Sequence, residues 1–262
     1  MIIDFHTHLF PDKIAHTTIS ILSKNSGIKA HTNGTIKDTV EKFNDAGISK
    51  AVVCNIATNP KQMTNVNNFA IEQKNYDILI PFGSIHHEGD YLSELDRLKD
   101  NGIKGIKLHP EYQNFFIDDK NMIKVYEEIL KRNFVIIFHT GLDYGMPPPL
   151  HAEPKRTKNI LGMFQGEKVV LAHMGGFGLW SDDIDYILGN DIYIDTSCAH
   201  GFADKKTILS LLNAHKKDKI LFATDTPWND IKSEISATLN LSLDDEFLEM
   251  IFYKNAKKLL EI

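Results

Sequence analysis

Cysteine is nearly absent from this sequence: Cys54 and Cys198 stand alone among 262 residues, too few for a disulfide framework. Both sit in apolar or strand-like runs, so reduced, buried thiols are expected. No run approaches the ~18 apolar residues of a membrane span, and Met1-Ile2-Ile3-Asp4-Phe5-His6 lacks the cationic start of a secretory leader. A cytoplasmic protein is expected. Positive charge is also scarce: 29 Lys and Arg against 35 Asp and Glu leave a net charge of −6, without the basic footprint of nucleic-acid or anionic-membrane binding. These absences favour a small-molecule substrate, and a homodimer is compatible with them. No linker, repeat or low-complexity tract divides the chain.

With 42% hydrophobic and 24% charged residues, the chain can bury a substantial core. Short β-branched runs alternate with longer amphipathic segments, the pattern of parallel strands joined by crossover helices. Eight strands are predicted: Ile2–His6, Ala51–Ile56, Leu79–Ile85, Ile103–His109, Phe134–His139, Val169–His173, Ile192–Thr196 and Ile220–Thr224. Most are continuously apolar, as strands buried on both faces should be. Helical spacing marks Ile36–Ala46, Met63–Lys74, Tyr91–Asn101, Asn121–Arg132 and Lys205–His215, with Leu243–Leu260 as a closing helix. The predicted fold class is α/β, a single-domain (β/α)8 TIM barrel over residues 1–262, close to the ~250 residues typical of that fold. The irregular stretch Gly141–Pro154, with Pro147-Pro148-Pro149, is expected to form a wall or lid of the pocket.

Five predicted strands end on, or just before, a histidine or an aspartate, and in such barrels those ends meet at one rim. In Asp4-Phe5-His6-Thr7-His8, strand alternation points His6 and His8 the same way, ~6–7 Å apart, so two imidazoles can chelate one ion. His139 ends strand five and Asp225 follows strand eight, supplying a third nitrogen and a carboxylate oxygen. Nitrogen and carboxylate ligands at ~2.0–2.2 Å suit one zinc ion, and also manganese or iron. His173 ends strand six, where a proton-transfer role is favoured over ligation. Lys107 and His109 share a face at the end of strand four and are expected to bind or polarise the substrate, with Glu111 and Tyr112 in the loop above. Trp228 follows Asp225 closely enough to line the site. Asp4 and Asp195 fit either a supporting role or a structural hydrogen bond, and His151 is a distant candidate for the pocket.

At these residues the sequence resembles the metal-dependent amidohydrolase superfamily, and in particular its amidohydrolase-related, carboxymuconate-semialdehyde decarboxylase-like branch. The resemblance spans nearly the whole chain. It implies that His6, His8, His139 and Asp225 hold the metal and that His173 acts as acid, base or substrate polariser. The long insertions of many decarboxylases in that branch are missing. Binuclear relatives bridge two ions with a strand-four lysine or a glutamate, a role that Lys107 or Glu111 would fill; one ion is expected, because Lys107 belongs to a Lys-x-His-Pro pattern.

The reaction expected is hydrolysis of an amide, ester or lactone bond by a metal-activated water, with Asp225 taking the water's proton and His173 serving the oxyanion or leaving group. The rival reaction is decarboxylation or hydration of a small carboxylated substrate by the same ligands. An inactive metal-binding barrel is the alternative from outside enzymology. A TatD-like nuclease is disfavoured, since its Gly-Glu-Ile-Gly element and a basic surface are both missing.

Overall fold

The computed structural model describes residues 1–181 and 183–262. Eight strands succeed one another: β1 (Ile3–Thr7), β2 (Lys50–Cys54), β3 (Leu79–Phe82), β4 (Gly105–Leu108), β5 (Val135–Phe138), β6 (Val169–Leu171), β7 (Tyr193–Asp195) and β8 (Ile220–Leu221). They pair in parallel as β1-β2-β3 and as β4 through β8. Both seams are bridged. Gly83 pairs with Ile106, with Lys107 N donating to Gly83 O at 2.8 Å; Thr7 pairs with Thr226, with Asp225 N donating to His6 O at 2.9 Å. These bridges complete the (β/α)8 barrel.

Alternation builds two apolar layers. Val52, Val135, Ile137, Val170, Leu221 and Ala223 pack together in one cluster, while their neighbours Val53, Ile136, Phe138, Leu171 and Phe222 join the cluster that includes the helices. The main helices are α1 (Asp12–Ser26), α2 (Ile36–Ala46), α3 (Met63–Gln73), α4 (Tyr91–Asp100), α5 (Pro110–Gln113), α6 (Lys120–Lys131), α7 (Pro154–Phe164), α8 (Ala199–Phe202), α9 (Lys205–Ala214), α10 (Ile231–Leu239), α11 (Asp245–Glu249) and α12 (Asn255–Leu260). α2 shows how locally they are specified. Thr35 caps it by accepting from Asp38 N at 3.3 Å, Phe43 is buried on its inner face, and Gly47 ends it at φ 78°, a conformation that only glycine adopts without cost. Among the described residues, no helix is long and apolar enough to cross a membrane.

Two departures from the sequence reading have physical causes. All predicted strands except the first run past their observed ends, and at the rim the chain turns off the sheet at polar residues: His109 becomes the N-cap of α5, and His173 and Asp225 adopt φ of 59° and 62°. The predicted closing helix is broken into α11, a π-helical turn over Met250–Lys254, and α12. Phe222 N donates to Ile251 O at 2.9 Å, which diverts that carbonyl from the helical ladder and widens the turn.

α10 carries a buried carboxyl, Glu234, whose Oε2 has no hydrogen-bond partner. Burial, reinforced by the Asp4 and Asp225 carboxylates, pushes its pKa up from 4.5 to about 8. A folded pKa above the unfolded one means that stability from this group is fully present below pH 4.5 and is lost as pH rises through 8. Glu234→Gln should therefore flatten the fall in melting temperature between pH 6 and 9 and stabilise the protein at pH 9 by about 2 kcal/mol. Calorimetry across that range checks it, and an unchanged pH slope contradicts it.

Candidate metal centre

The strand ends meet at a cavity of about 500 Å³, and His6, His8, Lys107, His139, His173 and Asp225 reach it together. His173, Cys198 and Asp225 all have left-handed backbone, with φ of 59°, 59° and 62°. Each such residue costs on the order of 1 kcal/mol or more, and this strain is concentrated where side chains must be aimed inward.

Hydrogen-bond partners determine the tautomers of the first imidazole pair. Asp195 is fully buried; burial alone would raise its pKa, but charge attraction to the His6 and His173 rings together with hydrogen bonds from His6 and Ser197 outweigh it and hold it at about 2. The ionised carboxylate must accept, so His6 Nδ1, 3.0 Å from Asp195 Oδ2, carries the proton and His6 Nε2 presents a lone pair. Burial, aided by Lys107, lowers the His6 pKa to about 3 and keeps it neutral. His8 Nδ1 lies 2.9 Å from Cys54 O, a pure acceptor, so in the neutral ring Nε2 again holds the lone pair. Both lone pairs face one anion: Asp225 Oδ1 is 3.1 Å from His8 Nε2 and 3.5 Å from His6 Nε2. Three acceptors converge, a donor set that fits a divalent cation, and the one donor facing them is Lys107 Nζ, 3.2 Å from His6 Nε2.

A second pair repeats the pattern. Ser197 Oγ makes a short hydrogen bond to Asp195 Oδ1, so its proton is committed there and its oxygen accepts from His173 Nδ1 at 2.8 Å. His139 Nε2 donates to Leu142 O at 3.0 Å. The remaining nitrogens, His173 Nε2 and His139 Nδ1, face each other at 3.0 Å as two lone pairs. Burial lowers the pKa of both rings, so neither imidazolium is favoured. Ligand atoms of His6, His8 and Asp225 lie within 4.8 Å of one another, as do those of His173, Cys198 and Asp225; His139 instead groups with His109 and Asp143.

The other predicted residues are placed unevenly. Lys107 is fully buried, its Nζ 3.2 Å from His6 Nε2, and burial lowers its pKa. His109, Tyr112 and Trp228 line the cavity, His109 being stacked between Tyr112 at 4.1 Å and His139 at 4.2 Å. Glu111 turns away from the cavity: it is buried in the wall, and its Oε1 accepts from His151 N at 2.9 Å, tying α5 to the proline-rich loop. That loop does form a wall, through Leu142, Asp143 and Tyr144. Its entry requires Gly141, at φ 93°, where a Cβ would come within 2.1 Å of Phe177 N.

Sequence reasoning left Asp195 undecided and missed Ser197, Cys198 and Asp143. Cys198 Sγ donates to Asp225 Oδ2 at 3.1 Å, and Asp143 Oδ2 lies 3.5 Å from His109 Nε2. The available signal was Asp195-Thr196-Ser197-Cys198, a polar run leaving β7 at the same rim as the histidines.

A family model described as Amidohydrolase matches residues 3–262. The chain belongs to the amidohydrolase family. Among solved structures, this amidohydrolase is similar to an uncharacterized TIM-barrel protein from Bordetella bronchiseptica, with a TM-score of 0.81 and 20% identity, covering 99% of this chain and 98% of that one. It is similar to a dihydroxybenzoic acid decarboxylase from Polaromonas sp. JS666 with bound manganese, with a TM-score of 0.75 and 16% identity over 99% and 96% of the two chains. A probable 2-pyrone-4,6-dicarboxylic acid hydrolase from Acinetobacter baumannii, with citric acid bound, follows at 0.67 and 18% over 100% and 99%. No curated protein sequence matches.

Proposed function

We propose that this chain is a metal-dependent hydrolase that cleaves an amide, ester or lactone bond in a small molecule. The observation that carries the reading is the convergence of His6 Nε2, His8 Nε2 and Asp225 Oδ1 at one point of the strand-end rim. These residues and His139 would hold a divalent ion, which when bound supplies Lewis acidity and lowers the pKa of water from ~15.7 towards ~7, with His173 beside them. The nitrogen-rich donor set suits zinc, and the manganese of the Polaromonas decarboxylase makes manganese the other choice.

The protein's own groups then handle protons and charge. Asp225 accepts the proton of the attacking water while Cys198 steadies its second oxygen. His173 receives that proton from Asp225 at Nε2 and passes it to the leaving group, and Asp195, acting through Ser197, stabilises the imidazolium in between. Lys107 places its ammonium where negative charge gathers on the substrate oxygen.

Lys107 also supports a second reading. A buried ammonium at the floor of the cavity suits a substrate carboxylate, and decarboxylases are among the proteins sharing this fold, so the lyase reaction is the specific alternative. Assays on protein reconstituted with zinc or manganese separate them. Hydrolysis predicts acid release from a panel of esters, lactones and amides, falling more than about 100-fold on chelation. Carbon dioxide released from carboxylated aromatics without acid release from the panel replaces hydrolysis by decarboxylation. Metal-replete protein inactive in both assays leaves a metal-binding barrel.

A further inference from the structure

The cavity has two chemically different ends, and the second is built by helices instead of strand ends. α1 is fifteen residues long, yet Ala15 is its single buried residue among those described. An amphipathic helix of a barrel ordinarily lays its apolar stripe on the sheet. Here Ile14, Thr18 and Leu22, spaced four apart on one face, line the cavity, and Ile14 remains 50% exposed. α3 contributes Val66 and Phe69 to the same space, with the uncharged polar side chains of Asn65 and of Gln62 just before the helix. Among the described residues lining the cavity, charged side chains other than histidine are confined to Lys107 and Asp225 at the strand-end floor and Asp143 in the loop wall, 3.5 Å from His109. The arm between α1 and α3 contains no charge.

We infer that the substrate is amphipathic: a single polar or anionic head is held at the histidine floor, and an uncharged, mainly apolar body lies between α1 and α3. This inference rests on the reading of the floor as the active centre. A body carrying a second carboxylate or a phosphate would meet no cation in the arm to pair with it and is disfavoured by the partial loss of water around that charge. An alkyl or aryl body replaces water against Ile14, Leu22, Val66 and Phe69. Each methylene so buried is worth a factor of about four in affinity. α1 is therefore a specificity element, which accounts for apolar residues being retained on a helix that contributes so little to the core.

The test uses the full-length, metal-loaded protein and straight-chain carboxylates from acetate to decanoate, titrated calorimetrically. Affinity should rise about three- to fourfold per methylene over several additions and then level off as the arm fills. Linear dicarboxylates of matching length should bind at least tenfold more weakly than the monocarboxylates. Leu22→Glu and Val66→Glu should flatten the series, and circular dichroism with metal analysis verifies that each variant is folded and loaded. Should either variant fail to fold, the wild-type series decides the matter. Affinities independent of chain length, or dicarboxylates binding as well as monocarboxylates, overturn the inference. The outcome is separable from that of the proposed reaction: a steep series on a protein with neither activity removes the reaction and keeps the amphipathic ligand, whereas turnover with a flat series does the reverse.

Discussion

The Asp225→Asn substitution should reduce turnover by on the order of 10³-fold, strip the protein of its metal, and at the same time raise the melting temperature of the metal-free form. The first two effects follow from loss of the anionic member of the donor triangle. The third is the more discriminating. Without a cation, His8 Nε2, in a ring whose Nδ1 donates to Cys54 O, and Asp225 Oδ1 are two acceptors held 3.1 Å apart, with His6 Nε2 at 3.5 Å. A carboxamide puts an N–H into that gap and turns repulsion into a hydrogen bond worth about 1 kcal/mol, or about 2–4 °C. Metal analysis and calorimetry of chelator-treated protein measure both. A variant that keeps its metal and rate, or whose stripped form melts below the stripped parent, contradicts the assignment of the triangle as a cation site.

Asp195→Ala is expected to have the largest effect on stability. The Asp195 carboxylate accepts from His6 Nδ1 at 3.0 Å, from His173 N at 2.9 Å, from Ser197 N at 3.1 Å and from the Ser197 hydroxyl. Truncation orphans these donors in a buried site and should cost about 3–5 kcal/mol. It also frees the His6 and His173 tautomers, so metal affinity should fall 10–100-fold even though His6, His8 and Asp225 remain. Asp195→Asn keeps the volume and separates the two effects: most of the stability should return while metal affinity stays low. The pH dependence has a definite sign. The folded pKa of about 2 lies below the ordinary 3.8, so Asp195 contributes stability above pH 3.8 and loses it as pH falls through 2. That contribution is about 2 kcal/mol, and the Asn variant should lack this part of the acid transition. Equal metal affinity in wild type and both variants would show that the histidines do not depend on Asp195 for orientation.

Much of the architecture was legible before any coordinates. All eight predicted strands are present, because a strand buried on both faces must be a short, nearly continuous apolar run, and such runs as Ala51-Val52-Val53-Cys54 have few other uses. Helix ends were legible where capping is local, as at Thr35 and Gly47. The break in the closing helix was not, since it arises from Phe222 reaching Ile251 across 29 positions of sequence. α1 was likewise not predicted: its apolar residues face a cavity, and periodicity alone does not distinguish that face from core.

For the site, the sequence by itself determined which chemical groups stand at the barrel rim, because a strand end followed by histidine or aspartate is a local pattern and parallel βα units bring such ends together. Tertiary structure alone decided how each group is used. The proton on His6 is set by Asp195, 189 residues away, the free oxygen of Asp225 by Cys198, 27 residues away, and the turning of Glu111 into the wall by His151, 40 residues away. Tautomer, orientation and charge depend on the nearest donor or acceptor in space, and only the closed barrel specifies which one that is.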